Sequence, residues 1–265
     1  MKKIFAVILA LTLLAGFAGC SGNDEKTIKV GASPTPHAEI LRAIQPILEK
    51  EGYTLEIKEF TDYVVPNNAV SGKDLDANYF QHLPYLQSFN EKFKTDLVSA
   101  GAIHFEPLGI YPGKVASIDA LPDGGTIAVP NDPSNEARAL NLLEKQGLIK
   151  LKEGVGLAAT PKDITENPKN IKFFEVEAAQ VPLSLVDVDL AVVNGNYALS
   201  AGIVETVLAS ESSDSEGAAE FANIVAVRPG DENKPKIKAL IAALQSEECR
   251  KFIEEKYGVG VVPVF

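Results

Sequence analysis

The constraint that most limits this chain is an alternation. Short β-branched runs are followed by longer runs with apolar residues at helical spacing, and the cycle repeats along the length. "TIKVGAS" is a strand ending in small residues. "HAEILRAIQPILEKEG" sets apolar side chains at 40, 41, 44, 47 and 48, one face of a helix, with Gly52 as its stop and Pro46 as a kink or break. "TLEIKEF" and "DANYF" read as the next strands, and "LPYLQSFNEKF" as a helix whose Pro84 falls in the first turn, where proline is tolerated. "DLVSAGAI" is a further short strand. The cycle restarts with a strand over 126–129 and a helix capped by Ser134 or Asn135 that runs to Gly147. "IKFFEVE", a short helix in "AAQVPLSL", the apolar strand before Asn194 and another helix follow. "ESSDSEGAAE" reads as a loop, "NIVAVRPG" as a strand, and "KPKIKALIAALQSEECRKFIEEKYG" as two closing helices.

Strands alternating with helices of these lengths predict an α/β fold of βα units, with sheets covered on both faces. At 265 residues the chain exceeds one typical core, so two lobes are expected. The alternation breaks at "YPGKVASIDALPDGG", rich in proline and glycine, and a new strand begins near "EFANIVAVRPG". Two crossings there divide the chain into a first lobe of 27–112 plus 224–265 and a second of 113–223, joined by a two-strand hinge.

The start of the chain reads differently. "MKK", an apolar run too short to span a bilayer, and Gly19 before Cys20 form a secretory signal over 1–19. Ala18-Gly19-Cys20 resembles the lipobox of bacterial lipoproteins, in which that thiol is acylated, although Phe17 stands where leucine is usual. The alternative is an ordinary signal peptide with a nearby cysteine. Residues 20–26 then form a lipidated, flexible tether on the extracytoplasmic face of a bacterial membrane. With Cys20 acylated, the one other cysteine, Cys249, has no disulfide partner and reads as a small buried hydrophobe. The net charge is −11, and loss of Lys2 and Lys3 with the signal makes it −13, which argues against nucleic acid as a partner.

Catalytic patterns are missing: no HExxH, GxSxG, Walker, GxGxxG or CxxC sequence occurs, so neither an enzyme nor a cofactor is expected. Metal binding is the alternative. His37, His82 and His104 are the entire histidine supply, and with an acid such as Asp62 they form a candidate zinc or manganese site. A small zwitterion has better candidates. Asn135 and Arg138 lie three apart at a helix start, so both project from one face, and a guanidinium there can hold a carboxylate. Its bland reading is a surface Arg138 paired with Glu136 or Glu144. Asn194 follows an apolar strand, at the carboxyl end where open α/β lobes bind ligands, and its bland reading is a turn former beside Gly195. Finally, "DANYFQHLPYL" places four rings within seven residues of a chain that has no tryptophan.

Long motifs then carry a resemblance: "PHAEIL", "EFTDYVVPNNAVSGKDLDANYFQHLPYLQSFN", "IAVPNDPSNEARALNLLEKQGLI", "DITENPKNIKFFEVEAAQVPLSL" and "VDLAVVNGNYALSAG". In order, from Ile28 to the end, the chain resembles the methionine-binding lipoproteins (the NlpA family), substrate-binding components of methionine ABC importers. It departs from them in a terminal "VPVF", where members often end in tryptophan. The resemblance implies a type II periplasmic-binding-protein fold closing over L-methionine or a close relative, D-methionine or a methionine-containing dipeptide. It also implies a membrane permease and a separate ATPase subunit as partners. Carried over by position, Tyr63, Phe80 and His82 wall the side-chain pocket, Arg138 with Asn135 takes the α-carboxylate, and Asn194 bonds the amino or carboxylate end. Tyr85 and Tyr197 match the motifs as further contacts behind these six. On a strand, Phe80 and His82 share one face, leaving Tyr79 for the core.

Overall fold

A computed structural model of the protein describes residues 25–213 and 216–265. The signal segment, Cys20 and the tether through residue 24 lie outside the described residues. Thirteen strands fall among these residues: β1 (Thr27–Ala32), β2 (Thr54–Glu59), β3 (Ala77–His82), β4 (Val98–Phe105), β5 (Gly109–Pro112), β6 (Thr126–Pro130), β7 (Lys150–Leu151), β8 (Ile164–Glu166), β9 (Lys172–Val176), β10 (Leu190–Val193), β11 (Ala209–Ser210), β12 (Asn223–Val227) and β13 (Val262–Pro263). The α-helices are α1 (Glu39–Lys50), α2 (Val65–Ser71), α3 (Leu83–Phe93), α4 (Pro133–Lys145), α5 (Gly195–Ala201), α6 (Glu216–Glu220), α7 (Pro235–Leu244) and α8 (Glu247–Tyr257).

The strands sort into two main sheets. One has the order β13-β4-β12-β3-β1-β2, the other β11-β5-β10-β6-β9, and β7 and β8 form a separate small pair. β1 runs parallel to both β2 and β3, whereas β12 is antiparallel to β3 and β4. This is the type II periplasmic-binding-protein arrangement of two α/β lobes, with the chain passing from the first sheet to the second after β4 and returning before β12.

Burial follows from the patterns. Ile28, Val30 and Ala32 of β1 are fully buried, and α1 lays Ile40, Leu41, Ile44 and Leu48 into the same core. Pro46 does not break α1; it sits on the exposed face, where water can meet the carbonyl that its missing N–H leaves free. β3 is buried at all six positions because strands flank it on both sides and helices cover its faces. In the second lobe alternation decides the faces. Ile127 and Val129 pack with Leu140 and Leu143 of α4, while Ala128 joins Ala191, Val193 and Tyr197 on the opposite side.

Several elements differ from expectation. The cap of α4 is Asp132, whose carboxylate accepts the Asn135 N–H at 3.0 Å, with Pro133 as the first helical residue. "VPNNAVS", expected as neither helix nor strand, forms α2, and "AAQVPLSL" forms two short 3-10 turns, Ala178–Gln180 and Pro182–Val186. The stretch read as a loop contains α6. β5 pairs with β10 and β11, so the second sheet begins at Gly109, ahead of the expected boundary at 112.

Candidate functional site

Three strand-to-helix junctions converge between the lobes. His82 ends β3 and caps α3, accepting the Tyr85 N–H on Nδ1 at 3.1 Å. Asn135 and Arg138 stand in the first turns of α4, directly after β6, and Asn194 lies between β10 and α5. These are the carboxyl ends of strands, where side chains of neighbouring units reach one crevice.

The convergence encloses a pocket with about 330 Å³ of atom-free space, lined by Tyr63, Phe80, His82, Tyr85, Asn135, Arg138 and Asn194. Rings form the first-lobe wall, with Tyr63 centred 5.4 Å from Phe80 and 5.5 Å from Tyr85. Tyr197 does not line this pocket. It stacks on Tyr63 at 5.0 Å, donates its hydroxyl to the Thr61 carbonyl at 3.1 Å, and borders a larger outer cavity with about 1180 Å³ of atom-free space.

The polar atoms have fixed directions. Because His82 Nδ1 accepts a backbone N–H, its proton sits on Nε2, which donates to Asn135 Oδ1 at 3.1 Å. Asn194 Nδ2 donates to the same oxygen at 2.8 Å. Asn135 Nδ2 in turn donates to both Asp132 oxygens, at 2.9 and 3.0 Å. Asn194 Oδ1 is therefore a buried acceptor aimed into the pocket, without a partner among the described residues. Although Asn194 stands at the cap of α5, its side chain does not cap that helix, so it is no mere turn former. Burial, reinforced by the Arg138 charge, lowers the His82 pKa to about 3 and keeps the ring neutral.

Arg138 is 4 % exposed, and neither Glu136 nor Glu144 is its partner. Its Nε donates to Glu211 Oε1 at 2.7 Å, and its Nη2 donates to Glu211 Oε2 at 2.5 Å and to the Glu106 carbonyl at 2.8 Å. Phe221 and Phe105 lie 4.4 and 5.5 Å from its Cζ. Nη1 makes no hydrogen bond to another described residue.

Sequence reasoning gave no site role to five lining residues, Gln81, Glu106, Gly195, Asn196 and Asn223. Asn223 begins β12 and comes from the far end of the chain. Glu106 lies just past β4, and its carboxyl packs against Gly195, where a Cβ would fall 2.8 Å from Glu106 Cβ. Glu106 Oε1 accepts from His104 Nε2 at 2.7 Å and faces His37 Nε2 at 3.2 Å, while its carboxylate also meets the Asn196 N–H. Burial raises the Glu106 pKa, offset in part by the Arg138 charge and by that N–H. The only available signal was an acid between a strand end and Pro107.

The metal trio of the alternative reading, His37, His82 and His104, does not assemble. His82 is committed to the pocket, and Asp62 accepts the Val64 and Val65 N–H groups at 2.7 and 2.8 Å. His37, His104 and Glu106 do cluster, as a hydrogen-bonded group in which Asn223 also takes His37 Nε2 at 2.9 Å, while His37 Nδ1 has no partner among the described residues. His104 Nδ1 faces the Tyr79 hydroxyl, and burial lowers the His37 and His104 pKa values to about 4 and about 3. Tyr79 belongs to the first-lobe core.

Residues 28–265 match the NlpA lipoprotein family. The chain is 42% identical to the methionine-binding lipoprotein MetQ of Bacillus subtilis, with 100% of this chain and 99% of that protein covered. It is 41% identical to the D-methionine-binding lipoprotein MetQ of Salmonella typhimurium, over 98% of this chain and 97% of that one. A nutrient binding protein from Burkholderia cenocepacia, solved bound to methionine, superposes with a TM-score of 0.84 at 46% identity, covering 90% of this chain and 100% of that one.

Proposed function

The chain belongs to the NlpA lipoprotein family, and on that premise we propose that it is the non-enzymatic receptor of an ABC importer, binding L-methionine or a close relative between its lobes. One observation carries the reading. A single pocket sets a wall of rings opposite a buried acceptor without a partner, Asn194 Oδ1, and a free guanidinium arm, Arg138 Nη1.

Each feature meets one end of the ligand. The thioether packs against Tyr63, Phe80 and His82, a polarizable sulfur against ring edges and faces, each contact contributing about 0.3–1.5 kcal/mol. The carboxylate pairs with Arg138 Nη1. The ammonium, a donor only, suits Asn194 Oδ1 and the Glu106 carboxylate. D-Methionine and methionine-containing dipeptides share these groups and differ in how the ends are placed.

Closure needs contacts that exist only when both lobes meet the ligand. Rings from the first lobe and polar groups from the second provide them, and the closed form is what the permease receives. ATP hydrolysis belongs to a separate subunit, because this sequence carries no phosphate-binding loop. Acylation of Cys20 holds the receptor at the membrane, and no helix among the described residues is long and apolar enough to cross one. Titration calorimetry with L-methionine on EDTA-treated protein tests the reading: one-to-one binding is expected. A melting temperature that responds to zinc and not to methionine would overturn it.

A further inference from the structure

Both segments that cross between the lobes bring a carboxylate to the hinge. Glu106 lies on the first crossing and Glu211 on the second, and Arg138 touches both segments. Glu211 does more than neutralise the guanidinium. Its Oε2 also accepts the Leu108 N–H at 2.8 Å, so one side chain ties the returning crossing to the outgoing one and to α4.

A guanidinium offers a carboxylate two parallel-bond edges, Nε with Nη2 and Nη1 with Nη2. Glu211 fills the first edge completely. The Glu106 carbonyl takes the remaining capacity of Nη2, which spoils the second. What is left for a ligand in the pocket is Nη1 alone, on a guanidinium whose Cζ lies 4.4 Å from the Phe221 ring and 5.5 Å from the Phe105 ring.

We propose that Glu211 is a positioning residue that limits the ligand's carboxylate to a one-armed contact with Arg138 Nη1, and so sets how tightly the receptor holds its cargo. This rests on the reading of Arg138 as the carboxylate's partner. Glu211 acts as a resident competitor for the guanidinium, and the weakened contact suits a protein that must surrender its ligand to a permease.

The experiment compares L-methionine with L-methioninol, which keeps the ammonium and thioether but carries an alcohol in place of the carboxylate. In wild type, methionine binds more tightly; equal affinity would sink the Arg138 reading itself. Glu211→Gln keeps the shape and one accepted bond but removes the competing charge. It is expected to raise the methionine-to-methioninol affinity ratio about tenfold, in line with the strength of charge-assisted hydrogen bonds. If both affinities move in parallel, or the ratio falls, while wild type still discriminates, Glu211 is only structural and the proposal is overturned. Should Glu211→Gln not fold, Glu211→Asp keeps the charge but is too short to fill the whole edge. Its ratio is expected to rise about threefold, and an unchanged ratio overturns the proposal equally.

Discussion

The two sides of the pocket are built to opposite rules. On the first lobe every polar atom of the wall is already committed: Tyr63 donates to Asn196 at 2.5 Å, Tyr85 to the Tyr63 carbonyl at 3.1 Å, and both His82 nitrogens are engaged. Such a surface offers a ligand only shape and polarizability. On the second lobe, Asn194 Oδ1 and Arg138 Nη1 are left open. Capture of the charged ends belongs to the second lobe and the Glu106 crossing, and discrimination of the side chain to the first lobe, so closure requires a ligand that satisfies both.

The largest break in this division is expected from Arg138→Ala. Removing a buried charged partner costs about 2–5 kcal/mol, so calorimetry should show methionine affinity falling by a factor of about 30 or more. Near-normal affinity would remove the carboxylate from the second lobe. Phe80→Ala attacks the other side. Loss of ring area and sulfur contacts is expected to weaken methionine about tenfold while the circular dichroism spectrum persists. Unchanged affinity would move the wall elsewhere.

Tyr197→Phe asks whether a ring just outside the pocket belongs to the wall. It deletes one bond between the lobes, worth about 0.5–1.5 kcal/mol, so dissociation should quicken only a few-fold by stopped flow. A loss matching that of Phe80→Ala would make Tyr197 a direct contact.

The smallest effect tests the helix of the clamp away from the pocket. Glu136 neighbours Asn135 but faces Glu175, and burial together with that second carboxylate raises its pKa to about 7. A raised carboxyl binds more protons folded than unfolded, so its contribution to stability is present below about 4.5 and is lost as pH rises through about 7. Glu136→Gln should therefore match wild type in melting temperature at low pH, exceed it increasingly up to about pH 7, and leave methionine affinity unchanged. A pH-independent difference would show that the two carboxyls are not coupled to folding.

Much of the fold was legible because it is written in local periods. Apolar spacing in α1 and the continuous apolar run of β6 survive any tertiary context. α2 was not legible, because a seven-residue helix opening on Val65-Pro66 has too short a period to register. In the site, Phe80, His82, Asn135, Arg138 and Asn194 stand at strand ends and helix starts, places that sequence can locate. Glu106, Asn223 and Glu211 do not. Glu211 meets Arg138 across 73 residues of separation, and its own surroundings read as a polar loop. Pairings made by the crossing of two chain segments leave no local period, and the hinge consists of such pairings.

The position of β1 has a mechanical consequence. The strand lies inside its sheet with a parallel neighbour on each side, β2 along its whole length and β3 along its second half, and the Lys236 ammonium holds the Thr27 carbonyl at 3.0 Å. Tension entering through the residues that precede it pulls along the strand. Two rows of hydrogen bonds then bear the load together in shear, rather than opening one after another as at a peeled edge. A chain held by its N-terminal end is thus anchored at one of the parts of the lobe hardest to pull out.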